Sequence, residues 1–155
     1  MAIYWNLGLL TRTREEGEAC VEYFKSKLLF VRERQIAVDA WLDALPDRWV
    51  VGATARGMNH ASPSGSDHEL MKDEARAYIA QTFNDWLPDA PRFVVGYFGQ
   101  EAYDDFQDQT RTVEAVVAGS LRVPGAFVDE STWIASGKSE GFERINATRC
   151  KRTES

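Results

Sequence analysis

The first ten residues set Ile3, Tyr4, Trp5, Leu7, Leu9 and Leu10 around Asn6 and Gly8, which predicts a strand over 2–10. Thr13 precedes Glu16 by three positions, the spacing of a capping box, and Glu15, Glu16 and Glu18 suit the positive end of a helix. Cys20, Phe24, Leu28 and Val31 then recur at helical spacing, so the pattern predicts one helix reaching about Gln35, closed by Arg32 and Arg34. Val38 to Pro46, with Trp41, Leu42 and Leu45, reads as a short helix that Pro46 stops. Arg48 to Gly52 reads as a strand, and Ala55 to Ser66 as a long loop rich in turn formers.

The clearest helical stripe follows. Met71, Ala75, Tyr78, Ile79, Thr82, Phe83 and Trp86 share one face of a helix capped by Ser66 or Asp67 and ended by Pro88. Arg92 to Phe98 is β-branched and aromatic on both faces, which predicts a central strand. Gln100 to Gln109 fits either a helical turn or a loop. A helix over about 110–120 carries Val113, Val116 and Val117. Strands are predicted at 126–128 and 132–135, as a hairpin across Asp129-Glu130, and a last edge strand over 142–150. Strands and helices mix, so the class is α/β or α+β: a single-layer mixed sheet packed with about three helices, one globular domain over 1–150, and a frayed tail over 151–155.

Composition agrees with one folded domain: 155 residues, 44% hydrophobic, five tryptophans and eight phenylalanines. Core packing is the expectation for Trp5, Trp49, Trp86 and Trp133, whereas Trp41 is a candidate for exposure. The start of the chain has no basic segment, Asn6 interrupts its apolar run, and no stretch approaches a membrane span. Those features predict a cytoplasmic protein without a membrane partner. Two cysteines, Cys20 and Cys150, then read as reduced thiols, with Cys20 in the core.

Charge changes the picture more. The net charge is −6, which disfavours nucleic acid as a partner. Between Asp85 and Glu130 nine acids face three bases, Arg92, Arg111 and Arg122, so this stretch holds the whole imbalance. Its densest part interleaves carboxylates and rings, and Glu101, Tyr103, Asp104, Asp105, Phe106 and Asp108 are the candidate partner-binding residues. Carboxylates steer a basic partner and rings supply buried area. The competing reading is a solvated acidic loop whose rings point into the core.

Chemistry has weaker candidates. Gly137-Lys138-Ser139 lacks the earlier glycine of a phosphate loop, since Thr132 stands there. Nucleophile-elbow and dinucleotide glycine motifs do not occur. His60 and His68, with Asp67 and Glu69, define an alternative in which a small hydrolytic enzyme, with or without a metal, works at the mouth of the 55–66 loop. Their spacing matches no established metal motif, and no cofactor is assigned. A ligand-binding regulatory module shares the same composition.

Tyr4-Trp5, Arg14, Glu18-Ala19-Cys20 and Phe24 resemble the opening of some bacterial polymorphic-toxin immunity proteins, immunity protein 52 among them. These include proteins paired with type VI secretion effectors. The resemblance covers about the first 30 residues. It implies a cytosolic, non-catalytic antitoxin that neutralises one cognate toxin by tight binding, and the acidic segment suits a basic nuclease-type effector.

Overall fold

Alternating inward and outward side chains build a sheet at the centre of the molecule. The computed structural model describes residues 5–58, 73–107, 127–129, 142–144 and 149–152. The strands are β1 (Trp5–Thr11), β2 (Leu28–Val31), β3 (Arg34–Ala44), β4 (Trp49–Ala55), β5 (Val95–Gln100), β6 (Phe127–Asp129), β7 (Phe142–Arg144) and β8 (Arg149–Arg152). The helices are α1 (Arg14–Lys25), α2 (Asp73–Trp86), which runs into a 3-10 turn at Leu87–Asp89, and α3 (Ala102–Gln107). The eight strands form one sheet in the order β2-β3-β4-β1-β5-β6-β8-β7. Each described pairing is antiparallel, so the domain is α+β and its sheet is antiparallel instead of mixed.

The register sorts side chains onto two faces, because neighbours along a strand point opposite ways. Leu7 pairs with Ala53 and Phe98, and Ala53 with Ala40, all on the face covered by α1 and α2. Phe24 of α1 and Ile79 and Phe83 of α2 are fully buried there. Phe83 stacks on Phe98 with ring centroids 4.6 Å apart and meets Trp86 edge-on at 5.1 Å. The hydroxyl of Tyr23 donates to the Trp86 carbonyl at 2.8 Å and ties the two helices together. Leu10, Val50, Val95, Tyr97 and Val128 lie on the opposite face beneath α3.

Helix α1 begins at the expected cap. Thr13 Oγ1 accepts from the Glu16 amide at 3.2 Å, and the Glu16 carboxylate accepts from the Thr13 amide at 3.2 Å. The helix ends at Lys25, however, ten residues before the expected stop at Gln35. Ser26 donates its hydroxyl to the Tyr23 carbonyl at 2.6 Å, and the chain turns into β2. Leu29 and Val31 still reach the core, but by strand alternation, and Leu28 faces outward. The connection from β2 to β3 is a two-residue turn at Arg32 and Glu33, with φ of 48° and 67°. Positive φ at two non-glycine residues is uncommon, so the hairpin carries none of the usual Asn-Gly signature.

The short helix expected over 38–46 is instead part of β3. Ile36, Val38 and Ala40 are buried at every second position while Ala37, Asp39 and Trp41 face the other way. That period of two was present in the sequence and outweighs the looser helical reading. In α2, Ala75, Ile79 and Phe83 point inward as expected, but Tyr78 is 48% exposed. Gln100 closes β5 and α3 follows, so of the segment left open as helix or loop Ala102–Gln107 is helix, while 108–109 lie outside the described residues. The tail expected to fray from Lys151 continues in β8: Lys151 pairs with both Phe127 and Glu143. The helix expected over 110–120, the strand over 132–135 and its hairpin, and Trp133 lie outside the described residues.

Candidate functional site

The acidic and aromatic segment becomes a short helix clamped onto β1. The chain leaves β5 through Glu101, whose φ of 54° turns it sharply back over the sheet. Asn6, buried within β1, accepts the amide hydrogen of Tyr103 at 2.9 Å and satisfies a donor at the start of α3. Gly8 makes the close approach possible: a Cβ there would lie 2.7 Å from the Ala102 carbonyl oxygen and 2.8 Å from the Phe106 ring.

The rings of this segment point inward. Tyr103 and Phe106 are 8% and 1% exposed, and Tyr97 and Phe98 are buried as well. Tyr103 meets Trp41 edge-on with centroids 5.2 Å apart, and Phe106 meets Tyr97 at 5.5 Å. Tyr103 and Phe106 are therefore packing groups, and neither ring lies on the surface as a partner contact would. Trp41, a candidate for exposure, is half-buried between Tyr103 and the Cα of Gly52, where any Cβ would lie 2.4 Å from its indole ring.

The Tyr103 hydroxyl donates to Asp43 on β3. Burial, then the Asp43 hydrogen bond, and more weakly the negative charge of Asp43 and Asp104 push its pKa up to about 12, against an opposing Trp41 hydrogen bond. A tyrosine held this firmly protonated serves as a fixed hydrogen-bond donor, not as an acid at neutral pH.

The carboxylates take the other side of this packing. Glu101 and Asp104 are partly exposed, and Asp104 is close enough to Tyr103 for its charge to be felt there. The backbone of Asp105 lies in α3, its side chain is outside the described set, and Asp108 falls outside the described residues. The structure thus places Tyr103, Asp104 and Phe106 on α3 with Glu101 in the turn just before it, and divides them: the two rings are buried, whereas Glu101 and Asp104 are partly exposed. Of the 55–66 loop, Ala55 to Met58 is described, and Met58 is fully buried. His60, His68, Asp67 and Glu69 lie outside the described residues, as does Gly137-Lys138-Ser139. Among the described residues no group of three or more His, Cys, Asp or Glu side chains is placed to hold a metal ion. Among them, too, no helix is long and apolar enough to cross a membrane.

A second surface escaped the sequence reading. The large hydrophobic residues exposed among the described set are Leu28, Phe30 and Tyr78, at 45%, 60% and 48%. Phe30 and Tyr78 line one open groove of about 290 Å³ with Val31, Arg32, Glu74 and Ala75. The signal was the unbroken Leu28-Leu29-Phe30-Val31 run, which a helical stripe and a sheet edge explain equally well until the pairing partner is known. No family model, no curated protein and no solved structure matches the chain.

Proposed function

We propose that this chain is an immunity protein, a cytoplasmic antitoxin that holds one cognate secreted bacterial toxin in an inactive complex, and that the toxin is a basic nuclease-type effector. The observation that carries the reading is the build of α3. Its aromatic side is pinned to the sheet by Asn6, Gly8, Trp41 and Asp43, which fixes the backbone that carries Asp104 and, one residue before the helix, Glu101. Carboxylates carried on a held backbone need no ordering of the main chain to pair with lysine or arginine, and the surrounding negative charge speeds encounter with a cationic groove. The whole net charge of −6 belongs to the stretch that contains α3. The rings contribute by holding the platform, not by entering the interface.

The experiment is to express the products of the neighbouring reading frames and to test each toxic one by co-expression and titration with this chain. A one-to-one complex that restores growth is the expected result. The double variant Glu101→Lys, Asp104→Lys should weaken binding at least about tenfold and flatten its salt dependence, as loss of steering charge does. Unchanged affinity in that variant would exclude α3 as the docking element. Failure to form any complex would exclude the antitoxin reading itself.

A further inference from the structure

We draw no further inference here: the strongest candidate, the apolar groove walled by Phe30 and Tyr78 between β2 and the start of α2, carries none because nothing in the structure shows what covers it.

Discussion

The hydroxyl of Tyr103 on α3 donates to the carboxylate of Asp43 on β3, linking residues 60 positions apart. It ties α3, seated over β1, to β3 two strands away on the same face of the sheet, and Tyr103 also lies against the Trp41 ring.

Removing that hydroxyl should loosen the domain without emptying its core. Tyr103→Phe keeps the ring contacts and deletes a hydrogen bond to a charged group, which is expected to cost about 1–2 kcal/mol in urea denaturation at neutral pH. The native pKa near 12 lies above the ordinary value of 10.0. The folded state therefore holds this proton more tightly than the unfolded one. The contribution is fully present below pH 10 and is lost as pH rises toward 12. The stability gap between wild type and Tyr103→Phe should accordingly be constant at pH 7–9 and shrink above about pH 10.

Gly8→Ala tests the seat of α3. The added methyl would meet the Ala102 carbonyl oxygen at 2.7 Å and the Phe106 ring at 2.8 Å, and the first of these is backbone that cannot swing aside. Overpacking of this kind costs about 1–3 kcal/mol. Because the helix must lift, the Tyr103 amide should lose its hydrogen bond to Asn6, which faster hydrogen exchange at that amide would report.

Phe83→Ala should be the more damaging change, although it lies far from the acidic helix. Phe83 is fully buried between α1, α2 and the sheet, stacked on Phe98, edge-on to Trp86 and tilted against Phe24. Truncating such a ring costs about 3–5 kcal/mol, part of it from the cavity left behind. Chemical denaturation with Gly8→Ala alongside should place Phe83→Ala lower in midpoint.

Features decided within a few residues were legible in the sequence. The Thr13–Glu16 cap, the α2 stripe through Ala75, Ile79 and Phe83, and the strand containing Val95, Tyr97 and Phe98 each follow from local spacing, because cap bonds and amphipathic faces are short-range. The excess of carboxylates around α3 was countable as well. Tertiary structure alone decided the rest. Leu28 to Val31 satisfies a helical stripe and a strand equally, and pairing with Ile36 and its neighbours selected the strand. Tyr103 and Phe106 have the composition of a surface anchor, yet the bare backbone of Gly8 opens a place for them against the sheet, and burying apolar area there outweighs leaving it in water. Which side of a ring meets solvent depends on partners 50 to 100 positions away, and no local pattern encodes that distance.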